Sequence, residues 1–288
     1  MNDDLWEHFA NLLPELNSIG QQPVMIAGGF GLILKQQWLS QTGKDEKIVV
    51  PLERWENPLI RSTKDVDIAI GLDLLCDREN QEIVAETLRR NGFVIDQYAA
   101  NWRWNKTVSQ TSEVIVEILA PTPGDNDAGL KVKGKRVKGA SSHNPIHGRE
   151  NKELVGYEHH PFSFRKENIE VTLPNPVTFL MMKVTAADEQ WKEWLKASDS
   201  KEASSRELAF KHARDAYRIL AMVTEKEFES AQEVASLIAS SDAYVKAQGI
   251  VSESFLSPQS WNAEDIQRDW KTEDLETMQT VMSEFFSQ

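Results

Sequence analysis

Cysteine is almost missing from this chain. Cys76 is its single thiol in 288 residues, so no disulfide can form within it, and that scarcity fits a reducing cytoplasm. As a small apolar side chain, Cys76 is expected to be buried. Long apolar runs are missing too: nothing reaches the roughly 18 consecutive apolar residues that a membrane-spanning helix needs. The N-terminal residues are acidic rather than basic, unlike a signal peptide. Cations are the minority charge, 32 Lys and Arg against 45 Asp and Glu, and the formal charge of −13 argues against broad attraction to nucleic acid while leaving room for a local basic patch. There is no GxGxxG fingerprint and no Cys–His zinc pattern; His143, His147, His159 and His160 are expected in surface loops. With 40% hydrophobic residues, the chain can still build one large core or two modest ones.

What is present concentrates between residues 24 and 70. Val24-Met25-Ile26-Ala27-Gly28-Gly29-Phe30-Gly31 reads as a short buried strand breaking through a glycine turn into a helix. Asp65-Val66-Asp67-Ile68-Ala69 reads as a strand of alternating character. Its two carboxylates project from one face, while Val66 and Ile68 point inward. Two like charges on one face repel unless a cation sits between them. Hard oxygen donors suit Mg²⁺, which takes one or two protein carboxylates and completes its shell with water and phosphate oxygens. A glycine turn opening a helix supplies backbone N–H groups and the positive end of a helix dipole. Together the two motifs describe a site for a metal and a triphosphate.

The rest of the chain fills out an α+β pattern. A helix with one apolar stripe is expected over residues 5–16, a helix over 79–90 stopped by Asn91-Gly92, short strands over 93–97 and 102–108, and a strand over 114–119. Glu117 interrupts that last strand, and an acid there must either ligate a cation or be ion-paired. Residues 131–138 carry five cations and no acid. That run reads as an exposed hairpin or as a steering patch for a triphosphate or an RNA end, without the interleaved aromatics of a single-strand binder. Another strand is expected over 162–173. From Pro176 the pattern is helical: 176–196, 204–223, 225–240, 242–249 and 273–286, the last with Thr272 as its N-cap. The expected division is 1–173 as a mixed sheet with flanking helices and 174–288 as a helical bundle completing the site.

Gly28-Gly29 at a strand-to-helix turn, followed by a strand with Asp65 and Asp67, resembles the nucleotidyltransferase fold. The string Arg61, Thr63, Asp65, Asp67 is similar to the AbiEii-type toxin nucleotidyltransferases. The resemblance implies transfer of a nucleoside monophosphate from an NTP to a hydroxyl acceptor, with Mg²⁺ or Mn²⁺ as cofactor. It implies metal ligation by Asp65 and Asp67, with Glu117 at the position of the family's third acid, usually aspartate, and as a candidate proton acceptor. It also implies nucleotide contacts from Gly28, Gly29, Phe30, Arg61 and Thr63, a phosphate-contacting Lys183, and Asp215 to orient that lysine. An interhelical salt bridge is the plainer account of Lys183 and Asp215. Gly29 and Asp65 lie 36 positions apart, so an inserted loop is expected over 38–58; Arg218 stands where the family often has a second acid. The acceptor expected is RNA such as tRNA, or protein, with a cognate antitoxin as partner. The alternatives are an inactive member acting as a binding or antitoxin-like partner, and a nucleotidyltransferase for aminoglycoside-type small molecules.

Overall fold

The computed structural model describes residues 2–42, 46–55, 63, 65–99, 101–109, 112–124, 127, 129–139, 144–196, 202–257 and 259–288. The chain divides into two compact units, one of residues 1–34, 61–154 and 161–174, the other of 35–60, 155–160 and 175–288.

The first unit holds α1 (Asn2–Ala10), α2 (Leu13–Asn17), β1 (Met25–Ala27), the start of α3 (Gly28–Thr42), β2 (Asp65–Ala69), α4 (Leu72–Cys76), α5 (Arg78–Arg90), β3 (Val94–Ile95), β4 (Arg103–Ser109), β5 (Ser112–Ala120), β6 (Leu130–Val132), β7 (Arg136–Gly139), β8 (Gly148–Glu150), β9 (Phe162–Lys166) and β10 (Ile169–Leu173). Among the described residues the sheet has ten strands, in the order β6-β7-β8-β5-β2-β1-β10-β9, with β4 also on β5 and β3 on β4. It is mixed: β1 and β10, β2 and β5, and β5 and β8 run parallel, whereas β1 and β2 are antiparallel. The alternation read in β2 is real, with Val66 and Ile68 fully buried and both aspartates half-exposed. Apolar burial fixes the register: Ile26 pairs with Ile68, and Ala27 therefore stands opposite Asp67.

Four local expectations are corrected. The single N-terminal helix is two, α1 and α2, with a turn between them that lets Leu12 and Leu13 both be buried. The single strand over 162–173 is the hairpin β9–β10, closed by Glu167 and Asn168, both at positive φ (50° and 65°), the backbone of a type I′ turn. Cys76 is exposed, because it ends α4 where Leu74 and Leu75 take the buried positions. Thr272 is not an N-cap; Lys271 occupies that position and α11 starts at Thr272.

The second unit is built on α6 (Pro176–Lys196), α7 (Glu202–Ala221), α8 (Glu225–Ile238), α9 (Asp242–Ser254), α10 (Ala263–Gln267) and α11 (Thr272–Phe285). Of the segment 38–58, the described parts, 38–42 and 46–55, are no loose insertion. Helix α3 continues to Thr42, and beyond it the amides of Val49 and Val50 bond the carbonyls of Val223 and Ala221. Trp55 is buried edge-on against Trp270, and Arg54 pairs with Glu273 and Asp274. The segment carries apolar side chains, Leu39, Val50 and Trp55, that the helical unit buries, so it belongs to that unit's core.

One buried charge pair ties α3 to α8. Both carboxylate oxygens of Glu227 accept from Lys35 Nζ, at 2.6 and 2.7 Å, and Glu227 also closes a capping box with Thr224. Burial pulls the Lys35 ammonium below the usual lysine range, against the opposing pull of Glu227. A lowered folded-state pKa means that the charged lysine is a net cost below that pKa, a cost that shrinks as pH rises toward the unfolded value of 10.5. Removing only one partner is worse, since it strands the other charge. Lys35→Met is expected to lower stability by about 3–5 kcal/mol, and Lys35→Met with Glu227→Gln to recover most of that loss, because glutamine keeps the capping contact; urea unfolding of the three proteins measures both.

Candidate functional site

Strand β1 is wholly buried and ends at Ala27, where the chain turns into α3 at Gly28 with φ +65°. That angle lies in the left-handed region that glycine alone adopts without strain. Space imposes the same choice: a Cβ on Gly28 would stand 1.9 Å from Oδ2 of Asp67 and 2.9 Å from its Cγ. The Asp67 carboxylate is thus packed against the glycine backbone at the start of a 15-residue helix, whose first amides have no intrahelical acceptor. Gly31, one turn of chain later, also permits close approach, since a Cβ there would lie 2.6 Å from the Ile26 carbonyl oxygen. Phe30 is buried, edge-on to Phe9 at 6.2 Å, and anchors the first turn of α3.

Asp65 projects from the same face as Asp67, two residues earlier. Thr63, expected to contact nucleotide, directs its hydroxyl to the backbone of Asp65, donating to that carbonyl at 3.2 Å. Arg61 lies outside the described residues, as does His143.

Glu117 stands beside Asp67 in the parallel pairing of β2 with β5, and Arg103 stands beside Glu117 in the antiparallel pairing of β4 with β5. Of the two accounts open for Glu117, the ion pair is the one present. Its Oε1 accepts from Arg103 (Nε at 2.8 Å, the terminal nitrogen at 2.5 Å) and its Oε2 from Arg149 at 3.1 Å. Both oxygens thus accept from guanidiniums, which compete with any role of Glu117 as a third metal ligand or proton acceptor. Arg103 and Arg149 also flank Trp102, with guanidinium carbons 5.7 and 5.4 Å from the ring centroid. Among the described residues no group of three His, Cys, Asp or Glu side chains is arranged to hold a metal ion. Asp65 and Asp67 are a pair of carboxylates on one face of β2, fewer than such a group needs from protein alone.

In the helical unit Lys183 donates to Oδ2 of Asp215 at 2.8 Å across α6 and α7, with the two residues 5% and 1% exposed. The plainer account, an interhelical ion pair, describes this geometry. The basic run is the hairpin of β6 and β7, with Lys131, Lys133 and Lys135 exposed. Arg136 and Lys138 line a groove of about 940 Å³ of mixed charge, with Arg78, Arg89, Glu82 and Glu86.

Sequence reasoning missed Arg103, Arg149 and Trp102. Arg103 had a signal, a cation in strand alternation beside buried Trp104; Arg149 had none, since only the pairing of β5 with β8 brings it to Glu117. Comparison with family models, curated proteins and solved structures returned no match.

If the Gly28–Asp67 contact is as tight as described, two costs separate. Gly28→Ala is expected to destabilise the protein by about 2–4 kcal/mol, combining backbone strain with displacement of the carboxylate. In an Asp67→Ala background the same change should cost less, about 1–2 kcal/mol for the strain together with a residual tight contact of 3.1 Å to the Cβ of residue 67; a double-mutant cycle by chemical unfolding reads the difference.

Proposed function

We propose that this chain is a metal-dependent nucleotidyltransferase, and that the observation carrying this reading is the Asp67 carboxylate lodged against Gly28 at the mouth of α3, with Asp65 beside it on the same face. In this reading the α-phosphorus of an NTP is attacked in line by an acceptor hydroxyl. A new O–P bond forms, the bond to the β-phosphate oxygen breaks, and pyrophosphate leaves. A divalent cation held by Asp65 and Asp67 would supply the positive charge that offsets charge building on the phosphoryl oxygens.

The chain's own residues do the rest. Gly28, Gly29 and the amide of Phe30 lie at the helix start, where backbone N–H groups favour phosphate oxygens. Gly28 lets the Asp67 carboxylate lie directly against that helix start, because a side chain at position 28 would displace it. Glu117, bonded to two guanidiniums, does not take the acceptor's proton, which is left to water at the half-exposed face of β2. Lys183 enters only through Asp215, which fixes its ammonium inside the helical unit. The acceptor stays a class: a hydroxyl of RNA, protein or a cationic small molecule.

One observation favours a second reading, a nucleotide-fold partner module without transfer. Glu117, the position of a third metal acid, is spent on two arginines.

Isothermal titration with Mg²⁺ and each NTP, with labelled NTP transfer onto tRNA, protein and aminoglycoside, separates the two. The transferase reading expects Mg²⁺-dependent binding and a labelled product. Asp67→Asn should lower transfer by about a hundredfold or more, the effect of losing some 3 kcal/mol of charge stabilisation. It should leave the unfolding transition unchanged or raised, because a like-charge repulsion is removed. Full activity in that variant would refute the site; a wild type that shows no heat with Mg²⁺ and any NTP would favour the second reading.

A further inference from the structure

A carboxylate as buried as Glu117, with its side chain 8% exposed, needs one good cationic partner, yet two arginines converge on it. The second is in excess of what the buried charge requires. Arg103 and Arg149 are 35% and 49% exposed, and each guanidinium carries five N–H donors, more than two carboxylate oxygens can occupy. Trp102 braces both, which limits the rotamers they would lose on binding a ligand. Asp96 approaches Arg103 at 3.8 Å, so Arg149 is the cation least committed to protein carboxylates.

The sheet fixes where these cations stand. Asp67, Glu117 and Arg103 form one row across β2, β5 and β4, and Arg149 joins the next row of the same face opposite Leu119. Adjacent strands lie about 4.8 Å apart, so the row from Asp67 to Arg103 spans about 10 Å, near the reach of a triphosphate. A guanidinium fork matches phosphate oxygens as well as it matches carboxylate.

We infer that Arg103 and Arg149, held by Glu117 and braced on Trp102, form a polyphosphate site that binds the β- and γ-phosphates of the NTP. This rests on the transferase reading for the identity of the ligand, and it assigns Glu117 as a positioning residue.

The test titrates the full chain with inorganic tripolyphosphate and with each NTP, in Mg²⁺, for wild type, Arg149→Ala, Arg149→Lys and Asp67→Asn. Arg149→Ala should weaken tripolyphosphate and NTP alike by about tenfold or more, and Arg149→Lys should restore only part, since an ammonium lacks the fork. A matching unfolding transition shows that the loss is not one of folding. If Arg149→Ala binds like wild type while Asp67→Asn loses Mg²⁺ dependence, the inference fails and the transferase reading stands. If Arg149→Ala loses binding while Asp67→Asn changes nothing, the arginine site stands and the metal site fails. A wild type that binds neither probe overturns both.

Discussion

The acidic end of the sheet's polar face depends on one steric fact: the side chain of Asp67 fills the space that any Cβ at position 28 would need. Two ordinary forces produce it. Burial of Ile26, Val66 and Ile68 sets the antiparallel register of β1 and β2, since a slip of one residue would turn Val66 and Ile68 to water and the aspartates to the core. The left-handed turn at Gly28 then ends β1 beside the carboxylate. The polar site is therefore placed by the apolar core beneath it, and its residues need no strong interaction of their own to stay in position.

The same logic governs charge elsewhere. Among the described residues, four buried acids have cationic partners from other elements: Glu117 with Arg103 and Arg149, Glu227 with Lys35, Asp215 with Lys183, and Asp274 with Arg54. Each partner is far away in sequence and comes from a neighbouring element, so each pair specifies which element packs where. Such pairs add little net stability over apolar replacements, whereas breaking one is costly. Glu227 goes further, because one carboxylate serves as both ion-pair partner and capping-box acid of α8.

Much of this was legible in the sequence, for reasons that differ by element. The alternation of β2 and the span of α6, Pro176–Lys196, follow from periodicity and an N-terminal proline, both local properties. The β9–β10 hairpin was not legible, because Glu167 and Asn168 adopt left-handed angles without the glycine that usually announces them. Segment 38–58 read as an insertion because polar residues and prolines dominate it locally, while the burial of Val50 and Trp55 is a tertiary event. At the site, the paired aspartates and the glycines were readable; Arg149 was not, since nothing near Gly148 in sequence refers to strand β5.

The pairing of Glu117 changes the electrostatic character of the face more than the loss of one ligand would. Three adjacent carboxylates without cations would form a strongly anionic surface that repels a polyphosphate until metal ions arrive. As built, the row runs from Asp67 through Glu117 to Arg103, with Asp65 and Arg149 in the neighbouring rows of the same face and Glu117 neutralised between the acids and the arginines. In the proposed reading, an extended polyanion would meet this face with one end at a cation held by the aspartates and the other at the guanidiniums, so its charge would be matched along its length rather than at a point. A polar row of that kind also fixes direction, since reversing the ligand would set its anionic end against the acids.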